Sequence, residues 1–159
     1  MATPDNLEEQ AHDAWDSNQA ARAFQLFSQA ANAGQENSML NLGYFYDEGL
    51  GTRQDKDKAM YWYKRAYRKG SAAAASNIAI LYRERSNLRL MFQWFKKSAE
   101  LGDGDSAVEL AKLYLEGTGV RRSKADAVRW LAAATSALFI SEAGREEALM
   151  LLLEAQDGR

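Results

Sequence analysis

The sequence predicts an all-α fold: an α–α superhelix (solenoid) of about four helix–loop–helix repeats closed by a C-terminal capping helix. Three observations carry this. Ala and Leu dominate, one proline occurs in 159 residues, and long β-branched alternations are absent, which is a helical composition. Apolar residues recur at i, i+3, i+4, i+7 and i+8 ahead of three glycines, Gly34, Gly70 and Gly102, the signature of one buried helical stripe. The stretch EGLGTRQDKDKAMYW (Glu48 to Trp62) returns as EGTGVRRSKADAVRW (Glu116 to Trp130), 68 residues on.

The elements follow in chain order. Thr3 and Pro4 suit a helix start, with Thr3 as cap and Pro4 in the first turn, where a missing N–H costs nothing. The first helix carries Leu7, Ala11 and Trp15. Each repeat then has a helix A and a helix B. Helix A reads large, small, x, x, Tyr in LGYFY (Leu42 to Tyr46), IAILY (Ile78 to Tyr82) and LAKLY (Leu110 to Tyr114), with all three key residues over one face. Gly43 costs roughly 1 kcal/mol inside a helix, so another backbone is expected to pass close by. Helix B carries the stripe: Ala23, Phe27 and Ala30; Ala59, Trp62, Tyr63 and Ala66; Met91, Trp94, Phe95 and Ala99; Ala127, Trp130, Leu131 and Ala134. Between them, Gly49 or Gly117 ends helix A in a left-handed conformation and Gly51 or Gly119 permits the turn. Asp55 or Ser123 caps helix B, the latter with Asp126 three residues on. The third repeat has lost four loop residues and both glycines.

The units are expected at approximately 5–34, 35–70, 71–102 and 103–138, in a single domain 1–159 with a capping helix over 141–156. The fourth helix B is expected to run on through SALFI (Ser136 to Ile140). Leu149, Met150, Leu152 and Leu153 should cover the open end of the stack, since terminal repeats need a cap. A homodimer through that helix is the alternative to a monomer.

The pattern LGYFYDEGLGTRQDKDKAMYWYKRAYRKG resembles the Sel-one-like repeat, a relative of the tetratricopeptide repeat. Leu42, Gly43, Tyr46, Gly49, Gly51, Ala59, Trp62, Ala66 and Gly70 match its hallmarks in order. The resemblance covers roughly residues 5 to 135. It implies an α-solenoid with a concave and a convex face, and members that act as protein-binding adaptors rather than enzymes.

The residues themselves favour the same class. There is no cysteine, so disulfides and thiolate metal sites are excluded. The one histidine, His12, lacks the partners of a metal site or a nucleophilic triad and is expected to be exposed and structurally idle. Carboxylate pairs such as Asp55 with Asp57 and Glu146 with Glu147 sit at helix starts or on solvent faces. The Gly-x-Gly loops lack the Lys-Ser/Thr ending of a phosphate loop. No cofactor, no metal and no enzymatic activity are expected.

No apolar run approaches the ~18 residues of a membrane span. The N-terminus has no basic region and no apolar core, so the expected location is cytoplasmic. Charge is uneven. Residues 1–52 carry one basic and eight acidic residues, 53–97 twelve and three, and 98–159 seven and eleven. The basic middle either satisfies helix C-termini or steers an acidic partner. Nucleic acid is disfavoured, because the acidic flanks repel phosphate.

The expected function is a non-catalytic protein–protein interaction module, an adaptor or scaffold, that holds a protein or peptide on its concave side. The outward side of helix A supplies the candidate contacts: Asn37, Tyr44 and Asp47; Ser76, Ile80 and Arg83; Asp105, Lys112 and Leu115. Alanine at Tyr44, Arg83 and Lys112 should remove binding and leave the fold intact. The alternatives are a dedicated antagonist, such as a cytoplasmic immunity protein for a toxin, and a nucleic-acid-binding solenoid using residues 53–97.

Overall fold

The computed structural model describes residues 3–156. Among them lie nine α-helices and no β-strand: α1 Pro4–Asp16, α2 Ala20–Asn32, α3 Glu36–Glu48, α4 Lys56–Arg68, α5 Ala72–Glu84, α6 Leu88–Glu100, α7 Gly104–Glu116, α8 Lys124–Thr135 and α9 Glu142–Gln156. The first eight form four A–B pairs. The chain divides between Ala74 and Ala75 into two compact units. The first holds α1 to α4. The second holds most of α5 and α6 to α9.

The caps explain the helix starts. The Thr3 hydroxyl accepts the Asn6 N–H, with Pro4 in the first turn. Asp55 accepts the N–H groups of Asp57 and Lys58. Ser123 accepts the Asp126 N–H and donates to the Asp126 carboxylate at 2.6 Å. Asn87 caps α6 by accepting the Leu90 N–H.

One hydrogen bond closes every A–B loop. The N–H of the residue before helix B donates to the carbonyl two residues before the end of helix A. The pairs are Gln19 to Ala14 (2.8 Å), Asp55 to Tyr46 (2.8 Å), Asn87 to Tyr82 (2.9 Å) and Ser123 to Tyr114 (3.0 Å). Two loop lengths satisfy it. The long loops use Gly49 and Gly117 in the left-handed region. In the short loops Asn18 (φ 58°) and Ser86 (φ 56°) take that conformation, at a modest energetic cost for a non-glycine residue.

Long and short loops alternate, and the packing gives the reason. A Cβ on Gly51 would lie 2.3 Å from the Ala20 carbonyl oxygen, and one on Gly119 would lie 2.2 Å from that of Leu88. Each long loop therefore presses its second glycine on the start of the preceding helix B, just after a short loop. Tyr46 and Phe24 meet edge to face at 5.2 Å, and Tyr114 and Phe92 do the same at 5.2 Å. All these pairs recur at an offset of 68 residues. The structural repeat is thus a pair of A–B hairpins, present once in each compact unit.

In the first unit Phe27, Met39, Leu42, Phe45 and Tyr63 are fully buried. Gly43 faces the Tyr63 ring, which a Cβ would meet at 2.5 Å. The close neighbour is a side chain and not the expected backbone. Trp62 is buried, whereas Trp94 in the second unit is only half-buried, with the Lys97 ammonium 4.1 Å from its ring centre. His12 is not idle. It is half-buried, 5.1 Å edge-on from Phe27, with Nε2 3.4 Å from the Asn41 amide nitrogen.

In the second unit Ala79, Met91, Phe95 and Leu113 form one cluster. Val108, Leu110, Ala127, Leu131 and Ala148 belong to another. Helix α8 stops at Thr135 and does not continue through SALFI. The Phe139 carbonyl instead accepts the Gly104 N–H at 2.7 Å, one of the unpaired donors at the start of α7. Ile140 and Ala137 crowd Gly104 so closely that a Cβ there would sit 2.5 Å from that of Ile140.

Helix α9 turns only Leu152 of the four expected residues inward. Ala148 is buried, and Leu151 and Leu152 pack against the core. Leu149, Met150 and Leu153 are 51–64% exposed. Asp105 sets this orientation by accepting the Ser141 N–H (2.9 Å) and hydroxyl (2.6 Å). Gly144 lies against that carboxylate. Together they fix which face of α9 turns inward.

Candidate interaction site

The second unit contains an open recess of about 450 Å³ between α5, α6 and α7. Its floor is Met91 and Leu113, both buried, and Leu88 stands at its edge, 45% exposed. Its wall is a charge network. Arg83 Nη2 donates to Glu109 Oε2 at 2.5 Å, Lys112 pairs with Glu109 Oε1, and Lys112 Nζ also donates to Glu147 Oε1 at 3.1 Å. The Arg83 guanidinium lies 5.1 Å from the Phe95 ring centre, which holds it in place.

The network sets its own protonation. Burial alone would push the Glu109 carboxyl up, but the hydrogen bonds from Lys112 and Arg83 outweigh it and hold it below its ordinary value. Burial alone would lower Lys112, but its bonds to Glu109 and Glu147 hold it above. Glu109 and Lys112 are therefore held in their charged forms at neutral pH. The surface offers both signs of charge around an apolar floor, with no titrating base or nucleophile among these groups. Such a surface suits recognition of a polypeptide.

The 68-residue repeat shows why the recess opens here. Trp15 occupies the position of Arg83, Tyr44 that of Lys112, and Phe45 that of Leu113. In the first unit these rings pack on each other, Trp15 to Tyr44 at 5.9 Å and Trp15 to Phe45 at 5.2 Å. In the second unit charged chains stand in two of those places, and a recess with exposed Leu88 at its edge opens beside them.

The residues expected at the site divide accordingly. Arg83 and Lys112 are brought together through Glu109. Ile80 is 40% exposed and Ser76 half-buried on α5. Tyr44 is 39% exposed but leans on Trp15. Asn37 is exposed and donates to Glu8 at 3.3 Å. Three are engaged elsewhere. Asp47 is buried, accepts the Tyr63 hydroxyl at 3.1 Å and pairs with Lys56. Asp105 is exposed but engaged by Ser141. Leu115 packs against the core. Arg83 and Lys112 also link α5, α7 and α9, so alanine at those positions would not leave the fold untouched. Sequence reasoning missed Glu109, Glu147 and Leu88. The comparison of positions 68 apart, with charges opposite aromatics, held the signal.

Four stretches match the Sel1 repeat family, residues 17–35, 37–71, 72–103 and 104–137, and the chain belongs to that family. No curated protein matches the chain. Among solved structures, a Sel1 repeat protein from Oxalobacter formigenes aligns over 97% of this chain and 64% of its own, with a TM-score of 0.81 and 21% identity. The protective antigen c5321 of uropathogenic Escherichia coli, which displays an SLR fold, aligns over 85% and 31%, with a TM-score of 0.80 and 23% identity. The chain thus spans less than two thirds of either protein. These likenesses show the all-α helical-repeat fold. An immunity protein, Pa5087 from Pseudomonas aeruginosa, also aligns, at a TM-score of 0.35 and 14% identity, too weak a likeness to carry an argument. Sel1 repeat proteins are generally protein-interaction or scaffold modules, and the family is a non-catalytic helical-repeat scaffold. No helix among the described residues is long and apolar enough to cross a membrane.

Proposed function

We propose that this protein is an interaction module that seats a polypeptide segment of a partner protein in the recess of its second unit. The observation that carries this reading is the exchange of Trp15 and Tyr44 for Arg83 and Lys112 at equivalent positions. It leaves a recess with exposed Leu88 at its edge beside a pre-ordered network of both charges. The partner's apolar side chain meets Leu88 at the edge of the recess, and its polar groups exchange hydrogen bonds with Arg83, Glu109 and Lys112. Because the network is already paired in the free protein, little side-chain freedom is lost on binding.

The test is Leu88→Glu, which places an unpaired charge at the rim while changing an exposed residue. Tagged wild-type protein should capture a stoichiometric protein from the lysate of its own cells. Leu88→Glu should lose it with an unchanged thermal melt, and Arg129→Glu on the exposed side of α8 should keep it. Equal capture by all three proteins would contradict the assignment.

A further inference from the structure

Helix α4 ends in a run of cations that no carboxylate among the described residues neutralises. Lys64, Arg65, Arg68 and Lys69 fall within six residues. Among the described residues none of the four forms an ion pair. Elsewhere Lys56, Lys58, Arg83, Lys96, Lys112 and Arg129 each meet a carboxylate within 3.8 Å, while other cations among the described residues form no ion pair; what sets α4 apart is four such cations within six residues. The Arg65 guanidinium lies 4.7 Å from the Trp62 ring centre and 5.8 Å from that of Tyr61. Arg68 Nε donates to the Lys64 carbonyl at 3.3 Å. Tyr61 is 53% exposed. With buried Met39 as its floor, Tyr61, Arg65, Arg68 and Lys69 line an open recess of about 430 Å³ in the first unit.

Cations at a helix C-terminus also complement its dipole, yet the second unit shows that this packing does not require them. At the equivalent place, 68 residues on, α8 and the residues after it carry Ala132, Ala133, Ser136 and Ala137, and the last turn of α8 has no basic residue. The cations of α4 are therefore surplus to capping. Arg65, laid over Trp62, is held planar and ready for two parallel hydrogen bonds to a carboxylate. The exposed Tyr61 ring adds an apolar contact that a bare polyanion would not use.

We propose that the C-terminal half of α4 is a docking site for an acidic peptide segment of a partner protein. Its carboxylates pair with Arg65, Arg68 and Lys69, and one aromatic or large aliphatic side chain enters the recess beside Tyr61. The site lies in the first unit and the proposed seat at Leu88 in the second, so each reading can fail alone.

The experiment is fluorescence anisotropy with a fluorescein-labelled synthetic peptide of glutamates around a single phenylalanine. The wild-type chain should bind it, and replacing the phenylalanine by alanine should weaken binding. Arg65→Gln/Arg68→Gln/Lys69→Gln should weaken it by about tenfold or more, because three charge-assisted contacts are lost. Arg121→Gln/Arg122→Gln/Lys124→Gln removes the same charge elsewhere and should leave affinity within about twofold, as expected for charges outside the contact. If the first triple variant fails to melt cooperatively, Tyr61→Ser keeps every charge and should still lower affinity. Absence of binding to the wild type, or equal weakening by both triple variants, would overturn the proposal. So would an oligouridylate that binds more tightly than the peptide and depends on the same three residues, which would assign the patch to RNA.

Discussion

Gly117 and Gly119 belong to one loop and share nearly the same backbone conformation, φ +78° and +72°. They differ in what a methyl group would meet. At Gly117 the nearest atom is the Arg122 Cβ at 3.4 Å, an ordinary contact. At Gly119 it is the Leu88 carbonyl oxygen at 2.2 Å. A carbon rests no closer to such an oxygen than about 3.3 Å, so loop and helix must part by about 1 Å. Both alanine variants carry left-handed strain of roughly 1–2 kcal/mol. Both regain about 0.4–1 kcal/mol from a less free unfolded chain. Gly117→Ala should therefore cost about 1 kcal/mol. Gly119→Ala should cost about 1–3 kcal/mol more, the range for forcing atoms into a packed region. In a chain of this length each kcal/mol moves the midpoint by about 2–4 °C, so Gly119→Ala should melt roughly 2–12 °C below Gly117→Ala. Thermal unfolding followed by circular dichroism reads this directly. Coincident midpoints would refute the claim that the long loop rests on the preceding helix B.

Three further outcomes follow from the packing. Gly43→Ala gains about 1 kcal/mol of helix propensity but drives a methyl into the Tyr63 ring, at a cost of about 1–3 kcal/mol, so urea titration should show no gain and a net loss of up to about 2 kcal/mol. Tyr63→Phe removes a hydrogen bond to the Asp47 carboxylate and should cost about 1.5–3 kcal/mol at neutral pH. Burial, and then Asp47, push the Tyr63 phenol far above its ordinary value. The unfolded chain ionises first, so wild-type stability should fall as pH rises past about 10. Tyr63→Phe should fall less steeply, as alkaline denaturant titrations would show. Glu109 lies below its ordinary value in the fold, so its contribution is present at neutral pH and lost as pH falls below about 4. Glu109→Gln should flatten that acid limb, and an unchanged slope would show that the network does not set it.

The helix pairs, their caps and their turn glycines were legible in the sequence because each has a local cause: a 3.6-residue stripe, an oxygen at the N-cap, a residue without Cβ. What escaped was set by tertiary choice. Both sides of α9 are apolar, so periodicity placed Leu152 inward but could not tell Leu151 from Leu149, Met150 and Leu153. The contact of Asp105 with Ser141 decides it. Asp47 reads as a solvated charge, but the Tyr63 hydroxyl and Lys56 make its burial affordable. Arg83 and Lys112 stood among the expected contacts without Glu109, the residue that joins them. The loss of four loop residues in the third repeat was visible, but its reason was not: the long loop of the next repeat rests there.

The most direct test of the interaction reading is site-specific photo-crosslinking in the native cell, with a benzoylphenylalanine at Leu88 and, separately, at Arg129. A partner seated in the recess of the second unit should be crosslinked from Leu88 and identified by mass, with no such adduct from Arg129. No adduct at Leu88, or the same adduct from both positions, would contradict it.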